Sequence, residues 1–287
     1  MNPEVSVILI SYNEEDYIHK SINNILDQSF RNLEIIVIDD HSTDKTFDKI
    51  ISISDKRLKI IRNEKNLGPV ISRNKGILMA KGKYIFFTDG DCYPYPNWIF
   101  EGLRTFKKFD CLGVEGKIVM DIEVGRLSDK VVKNTKGNEY MTGNVAYTKK
   151  ILNKINGFNY EFNDYYEDRE IALRVLNYGK IIFNENMVVK HQLKKWNFKG
   201  FLLNAKKVKG LILLYKRYNW SYYNKFRIIK PKEMLLILFP PFILALLFEG
   251  RVRSLKDFMF LPLVYFRAVY MRLIIWKTAY KERVFLL

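Results

Sequence analysis

Two carboxylates two positions apart, Asp89 and Asp91, come directly after the apolar run 84–87 and are separated by Gly90. Carboxylates at the end of a buried strand are costly in free energy unless a cation compensates them. Hard divalent ions bind carboxylate oxygens and share their coordination shell with phosphates, and a glycine lets the backbone turn closely around a ligand. A D-x-D pair alone is a weak signal, but its position after a strand favours a metal and phosphate site.

An acidic pair, Asp39-Asp40, also closes the earlier apolar run that begins at Leu33. The carboxyl ends of parallel strands face one crevice, so we expect both acidic pairs to line it. Ser42 and Asp44, which follow, are equally consistent with capping of the next helix, and both interpretations can hold together.

An arginine, a second acidic pair and a histidine are further candidates, each with an ordinary alternative. Arg73 is suited to neutralising a diphosphate, although an isolated arginine is more often a surface residue. Glu167 and Asp168 open a helix, where they complement its dipole or supply a general base; the local pattern alone favours the dipole. His191 is a metal ligand if its strand end meets Asp91, although a lone histidine is usually structural.

A predicted alternation of strands and helices up to about residue 120 positions these side chains. The predicted strands span 5–10, 33–39, 58–62 and 84–88, with helices at about 45–53 and 68–80. A further helix is predicted to begin after Asn13 as its N-cap, with acidic residues in its first turn. The pattern is typical of an α/β fold with a Rossmann-like, mostly parallel central sheet and helices on both faces.

Beyond residue 111 the pattern is mixed, with predicted strands at 112–120 and 139–147 and helices at 149–155 and 168–177. Apolar residues then recur at steps of four and three from Phe201 to Tyr215, which predicts one face of a helix. Lysines lie beside this stripe, so a helix at a membrane interface and an ordinary helix that covers the core are both open.

The amino-acid composition limits the classes of protein to which the chain can belong. The chain has 287 residues, of which 48% are hydrophobic, so it can bury a sizeable core. Its two cysteines, Cys92 and Cys111, form neither a disulfide framework nor a zinc pattern, which suits a reducing compartment. The first apolar run, 5–10, is too short for a signal peptide and has no basic residues before it.

The net charge of +17 is concentrated, because residues 190–232 hold thirteen Lys or Arg and no Asp or Glu. Such a stretch favours an anionic partner: a membrane surface, a phosphorylated lipid or a nucleic acid. The ordinary alternative is a solvated basic face. The apolar segments 234–248 and 258–276 favour the membrane, and both are too short or too interrupted by proline and arginine to cross it simply.

Taken in order, these motifs resemble the family 2 glycosyltransferases, which have the GT-A fold. The resemblance covers about residues 3–191 and rests on the ordered set VSVILISYNEEDYIHKSINNILDQSF, EIIVIDDHSTDKT, NLGPVISRNKG, AKGKYIFFTDGD, TGN and YEDREIALRV. It implies transfer of a sugar from a nucleotide-sugar donor with Mn²⁺ or Mg²⁺ as cofactor.

The resemblance assigns roles on the nucleotide side of the site. The loop after the first strand, with Ser11, Asn13 and Glu14, would border the nucleotide. Asp40 would contact the base, and Arg73 would lie near the nucleotide.

It also assigns roles at the donor diphosphate and the sugar. Asp89 would serve the ribose side, and Asp91 would bind the metal together with the diphosphate. His191 would complete the metal site, and Gly143 of the TGN motif would lie near the sugar and the acceptor.

The implied base is one of the pair Glu167-Asp168, with Asp168 preferred. It would take the proton of an acceptor hydroxyl in a single displacement that inverts the anomeric carbon. The chain departs from the family pattern at Cys92, where a further acid is frequent, and it lacks the Q-x-x-R-W motif of processive synthases.

These observations predict a GT-A catalytic domain over residues 1–195 and a basic, apolar, membrane-associating helical region over 196–287. The preferred acceptor is a lipid-linked glycan at the cytoplasmic face of a membrane. A polyprenyl-phosphate sugar synthase is the nearest alternative, although its acceptor needs no base. A nucleotidyltransferase fits less well, because such enzymes usually carry a Gly-rich, basic loop after the first strand, where this chain has SYNEED. A non-enzymatic binder of nucleic acid also fits less well, because acids at three positions of the crevice would repel phosphate without a metal.

Overall fold

A computed structural model describes residues 2–122, 125–163, 165–218, 234, 237–244 and 249–284. The strands are β1 Val5–Ser11, β2 Leu33–Asp39, β3 Leu58–Arg62, β4 Tyr84–Asp89, β5 Cys92–Pro94, β6 Gly113–Val119, β7 Asp129–Lys130, β8 Val145–Thr148, β9 Ile181–His191 and β10 Lys194–Lys195. The helices are α1 Ile18–Leu26, α2 Thr46–Ile51, α3 Pro69–Met79, α4 Trp98–Lys108, α5 Lys149–Lys154, α6 Glu167–Leu176, α7 Phe198–Leu203, α8 Val208–Tyr218 and α9 Leu255–Lys281. The chain divides into two compact units, Met1–Met120 with Val132–Gln192, and Asp121–Val131 with Leu193–Leu287.

The first unit is built on an eight-stranded sheet with the order β3-β2-β1-β4-β8-β6-β9-β5. Strands β3, β2, β1 and β4 are parallel neighbours. β8 lies antiparallel between β4 and β6, while β6 and β9 are parallel. The predicted α/β fold with a mostly parallel central sheet is therefore confirmed.

Alternate residues of β1 enter two different core layers. Val7 and Leu9 pack in a layer with Ile22 of α1 and Trp98 of α4. Ile8 packs in the opposite layer, which includes residues of α3, α5 and α6. Because side chains alternate between the faces of a strand, a continuous apolar run with helices on both sides is buried, as predicted; of β1, Ile10 is partly exposed.

The prediction that Asn13 caps the first helix is wrong. α1 begins at Ile18, and Asn13 has a left-handed backbone with φ of 54°. The Asn13 side chain accepts a hydrogen bond from the Thr43 backbone N–H at 2.9 Å instead. The side-chain oxygen of Asn13 is thus bonded to the loop after β2. The acidic residues that follow Asn13 lie before α1.

The predicted strand over 139–147 is also wrong in its first half. A 3-10 turn covers Thr142–Asn144, and β8 starts only at Val145. Upstream, the buried carboxylate of Glu115 accepts the backbone N–H groups of Asn138, Glu139 and Tyr140. Those N–H groups point at one carboxylate, so they cannot form a strand ladder.

The second unit contains β7, β10 and helices α7 to α9. The predicted apolar stripe of 201–215 is split between α7, a 3-10 turn and α8, and Phe201, Ala205 and Ile212 of it are buried. Asp257 near the start of α9 accepts a hydrogen bond from Ser128 at 2.6 Å. Of the predicted apolar segment 234–248, the 3-10 turn Pro240–Leu244 is described and most of the remainder lies outside the described residues.

Candidate active site

Three parallel strands end together at one edge of the sheet and bring their terminal side chains into register. Ser11 of β1 pairs with Asp39 of β2, and Ile10 pairs with Asp89 of β4. Ser11 Oγ and Asp39 Oδ1 are buried and have no hydrogen-bond partner within the described part of the chain. Since unpaired buried polar atoms are costly, they mark a place where a ligand would supply the missing partners.

Asp40 holds the turn that leads into α3. Its carboxylate accepts the Leu67 and Gly68 backbone N–H groups at 2.9 and 2.8 Å, and the Asn63 side-chain amide at 2.7 Å. Gly68 has φ of 87°, which a residue with a Cβ adopts only with strain. Asp40 thereby shapes the loop that starts the Arg73 helix, and a contact with a nucleotide base stays a prediction.

Glu14 is likewise tied to the loop after β2. Its backbone N–H donates to Thr46 Oγ1 at 2.7 Å, and the Asn13 backbone N–H donates to Ser42 Oγ at 3.0 Å. The loops after β1 and β2 are therefore fastened to one another at the edge where the strands end.

Arg73 lies between two of the predicted acidic residues. Its Nη1 donates to Glu167 Oε1 at 2.8 Å, and its Nη2 donates to Asp89 Oδ1 at 3.0 Å. Only 4% of the Arg73 side chain is exposed. Burial lowers the pKa of Arg73, but the charges of Asp89 and Glu167 outweigh burial and raise it, so the guanidinium is a permanent buried cation.

Asp168 follows Glu167 at the first turn of α6. Tyr166, just before this helix, has a left-handed backbone with φ of 64°, which is unusual for an aromatic residue. Burial, followed by the negative charge of Glu167, raises the pKa of Asp168 to about 7. A carboxyl group with this pKa exchanges protons near neutral pH, as a general base requires.

Gly143 is packed against Asp89 and Cys92. The Gly143 carbonyl accepts a hydrogen bond from Thr88 Oγ1 at 3.2 Å. A Cβ at this position would lie 3.3 Å from Cys92 Sγ and 3.5 Å from Asp89 Oδ2. A side chain here would therefore occupy space directly beside the D-x-D segment.

Asp91 and His191 meet, although 100 positions separate them in the sequence. Their Oδ2 and Nε2 atoms are 3.6 Å apart, and both side chains are buried. His191 Nδ1 lies 2.8 Å from the Gln192 carbonyl oxygen, a contact in which Nδ1 donates, and Nε2 is the ring nitrogen that faces Asp91. On the other side, Ser21 Oγ donates to the carbonyls of Gly90 and Cys92 and so holds the turn.

Comparison with known proteins identifies the family to which the chain belongs. Residues 6–165 match the model of the family described as glycosyl transferase family 2. The chain belongs to this family. An uncharacterized glycosyltransferase of Haemophilus influenzae is 35% identical over 201 residues, which are 68% of this chain and 59% of that protein.

Two further proteins resemble this chain. The UDP-Glc:alpha-D-GlcNAc-diphosphoundecaprenol beta-1,3-glucosyltransferase WfaP of Escherichia coli is 43% identical over 89 residues, which are 31% of this chain and 36% of that enzyme. The chain thus spans less than two thirds of the length of these curated relatives. The mannosyltransferase PcManGT from Pyrobaculum calidifontis, solved in complex with GDP-Man and Mn²⁺, has a TM-score of 0.60, 17% identity and coverage of 98% of this chain and 88% of its own. At this identity, the likeness shows a shared fold.

The side-chain donors of Asp91 and His191 fit a divalent cation. A buried carboxylate faces an imidazole nitrogen at 3.6 Å, a separation too long for a hydrogen bond and close to that of two ligands on one ion. A carboxylate and an imidazole are ligands that Mn²⁺ and Mg²⁺ accept.

Two residues that position the site were missed in the sequence. Glu139, held by the Glu115 carboxylate, forms an ion pair with Arg169, the neighbour of Asp168. An acid within the predicted strand is a weak signal that could have found Glu115, because a buried carboxylate requires partners, although β6 also contains Lys117. No sequence pattern pairs Glu139 with Arg169.

Proposed function

We propose that the protein is an inverting glycosyltransferase that moves a sugar from a nucleotide-diphosphate sugar to a hydroxyl of a lipid-linked glycan. The observation that carries this proposal is the juxtaposition of a carboxyl group of raised pKa, Asp168, with the buried Arg73 that bridges Glu167 and Asp89. Family membership supports the reaction type. The name of WfaP, which contains an acceptor linked to diphosphoundecaprenol, supports the class of acceptor.

In this mechanism Asp168 takes the proton of the acceptor hydroxyl while the hydroxyl oxygen attacks the anomeric carbon. A positioned base of this kind contributes about 10²–10⁴-fold to the rate. The nucleotide diphosphate leaves from the opposite face, so the configuration at the anomeric carbon inverts in one step. No protein nucleophile is needed.

Arg73 holds the base and the donor side of the site together. It fixes Glu167, next to Asp168, while its positive charge lies beside Asp89 and stabilises negative charge that develops on the leaving diphosphate. Asp91 and His191 would hold Mn²⁺ or Mg²⁺, and the ion would neutralise the diphosphate when it is bound. The complex of PcManGT with Mn²⁺ supports a divalent ion.

The raised pKa of Asp168 favours a hydroxyl acceptor over a polyprenyl phosphate. A phosphate acceptor is already anionic and requires no base, so a buried carboxyl beside Glu167 would have no catalytic task in such a synthase. Acids at the ends of β2 and β4 and at the start of α6 also disfavour a non-enzymatic binder of nucleic acid.

The test is release of nucleotide and formation of glycoside from a panel of UDP- and GDP-sugars, with Mn²⁺ and a lipid-linked acceptor. Asp168→Asn should lower the rate of transfer about 10²–10⁴-fold, and Asp91→Ala should abolish metal-dependent turnover. Asp48→Asn, which removes an exposed carboxylate on α2, serves as the matched control. Transfer by Asp168→Asn at the wild-type rate would exclude the hydroxyl mechanism, and a lack of turnover with every donor by folded protein would exclude the reaction.

A membrane location at the cytoplasmic face belongs to the same proposal. Within the described residues, α9 is the one helix long and apolar enough to cross a membrane. One side of it is buried against its own unit, through Phe260, Ala268 and Ile275 among others. An exposed apolar outer stripe runs along the other side and consists of Leu255, Met259, Phe266, Leu273, Trp276 and Tyr280.

The outer stripe favours a helix that lies in the membrane surface. Successive members of the outer stripe are three, four or seven residues apart, which places them on one face of the helix. A crossing helix is surrounded by lipid, whereas α9 packs against α7 and α8 on its other side. Lys256, Lys277 and Lys281 border the stripe and are exposed, as expected for contact with anionic headgroups. The two free cysteines fit the reducing cytoplasmic side.

A further inference from the structure

Cys92 lies beside the predicted metal ligands and has no role in the mechanism above. The Asp91 carboxylate, the Cys92 thiol and the His191 imidazole each offer one ligand atom, and these atoms all lie within 4.8 Å of one another. All three side chains are buried. Asp91 Oδ1 is 3.8 Å from Cys92 Sγ, and Asp91 Oδ2 is 3.6 Å from His191 Nε2.

The fold produces this cluster through the pairing of two short antiparallel segments. Cys92 of β5 is the direct cross-strand partner of His191 of β9. Directly opposed residues of an antiparallel pair place their side chains on the same face of the sheet, about 4.5–5.5 Å apart at Cβ. The Gln192 backbone N–H donates to the Asp91 carbonyl at 3.0 Å and extends the same pairing by one residue.

The separations resemble those of a zinc site. Zinc bonds of about 2.0–2.3 Å at tetrahedral angles place neighbouring ligand atoms about 3.3–3.5 Å apart. The observed distances of 3.6 and 3.8 Å involve the two different oxygens of Asp91, and the three ligand atoms together lie within 4.8 Å of one another, so binding of one ion requires side-chain shifts of up to roughly one ångström. We infer that Cys92 is a third protein ligand at this site and that the site therefore binds thiophilic divalent cations such as Zn²⁺ more tightly than Mn²⁺, with the fourth position open.

The chemistry of the thiol supports selectivity for soft ions. Binding of Zn²⁺ replaces the thiol proton by a zinc–sulfur bond and releases that proton to solvent. Thiolate ligands favour Zn²⁺ strongly over Mn²⁺ and Mg²⁺, for which a thiol adds little.

The inference deepens the proposed function, because Zn²⁺ at this site would compete with the activating ion. Its test does not depend on turnover. Full-length protein is titrated with Co²⁺, whose near-ultraviolet absorption reports a thiolate ligand, and Zn²⁺ affinity is measured by competition with a chromophoric chelator. We expect one ion per chain, a thiolate band, and Zn²⁺ affinity that falls at least about tenfold in Cys92→Ser, since loss of even an outer-shell partner costs that much.

Cys111→Ser is the matched control, because Cys111 is also a free, buried cysteine but lies outside the cluster; it should retain the band and the affinity. Cys92→Ala is measured in parallel, and circular dichroism establishes that each variant is folded. A Co²⁺ complex without a thiolate band, or equal Zn²⁺ affinity in wild type and both Cys92 variants, overturns the inference. Sugar transfer that persists in that case leaves the proposed function standing, whereas a thiolate band without any turnover supports the metal site and counts against the function.

Discussion

Arg73 and Glu167 form a buried ion pair, with Nη1 and Oε1 2.8 Å apart and only 4% and 14% of the two side chains exposed. The pair joins α3 to the start of α6, two helices 94 positions apart at these residues. Removal of one partner from a buried pair leaves an uncompensated charge, which costs more than the pair itself contributes. Arg73 is thus a structural cation as well as a candidate catalytic one.

Arg73→Ala should lower the free energy of unfolding by about 3–5 kcal/mol, because it leaves the carboxylates of Glu167 and Asp89 without their cation. Urea denaturation followed by circular dichroism measures the change. Arg104→Ala is the control, since Arg104 is 55% exposed in its pair with Glu101 and should change stability by less than about 1 kcal/mol. Equal losses in the two variants would contradict the assignment of Arg73 as a buried cation.

The rate of sugar transfer should rise with pH through about 7, because Asp168 must be ionised to act as a base and its pKa is raised to about 7. Glu167→Gln removes the neighbouring charge that raises this pKa, so the acid limb of the kcat/KM profile should move to lower pH. Glu185→Gln removes an exposed glutamate of β9 and should leave the limb in place. A limb that does not move in Glu167→Gln would mean that another group titrates.

Ionisation of Asp168, which should raise the rate of transfer as the pH rises, should lower the stability of the folded protein over the same pH range. The folded pKa of Asp168 is about 7 and its unfolded pKa is about 3.9, so the folded state binds the proton more tightly between these values. The stabilisation that the protonated Asp168 carboxyl gives to the folded state is present in full below about pH 4. It is lost progressively as the pH rises from there toward 7. Asp168→Asn should therefore be more stable than wild type at pH 8 and equal to it near pH 4, while it loses about 10²–10⁴-fold in turnover. Thermal unfolding at the two pH values measures the difference.

The parallel half of the sheet could be predicted because its determinants are local. Runs such as Val5–Ser11 are β-branched and apolar, and each strand is followed by a helix with a buried stripe. The prediction was wrong at Asn13. Asparagine often caps helices, but the Asn13 side chain here accepts a hydrogen bond from Thr43, 30 positions away. The backbone conformation of Asn13 therefore depends on a hydrogen-bond partner that is distant in the sequence, and not on its residue type.

The site could be predicted only in part for the same reason. Asp89 and Asp91 are two positions apart in the sequence and follow a recognisable strand, whereas the meeting of Cys92 with His191 depends on the pairing of β5 with β9. β5 is three residues long and contains a proline, so no periodicity identifies it. The role of Glu115 depends in turn on a loop that folds back on β6.

Glu115→Gln should release the loop that contains Asn138, Glu139 and Tyr140. The carboxylate accepts three backbone N–H groups and the Asn134 amide, whereas a glutamine amide has one acceptor oxygen and places an NH₂ group among these donors. Hydrogen exchange at residues 138–140 should accelerate, and unfolding should become easier by about 1–3 kcal/mol. Glu101, on α4 and away from this loop, provides Glu101→Gln as the control. Unchanged exchange in Glu115→Gln would show that the loop is held by other contacts.

The outer stripe of α9 should bind vesicles that contain anionic lipid. Burial of a large apolar side chain contributes about 1.5–3 kcal/mol, so Phe266→Glu and Leu273→Glu should each weaken co-sedimentation with phosphatidylglycerol vesicles at least about tenfold. Trp276 is 55% exposed, and its fluorescence should be quenched by brominated lipid and lose this response in Trp276→Phe.

Leu78→Glu is the matched control for this face, because Leu78 is 84% exposed on α3 of the other unit and adds the same charge away from the stripe. It should leave vesicle binding unchanged. Phosphatidylcholine vesicles should bind more weakly than anionic ones, and salt should reduce the difference, because the flanking lysines act through screened charge. If the two α9 variants instead convert a dimer into a monomer in sedimentation velocity and bind vesicles as wild type does, the stripe is an interface between copies of the chain, and the amphipathic pattern of α9 then serves assembly in place of membrane contact.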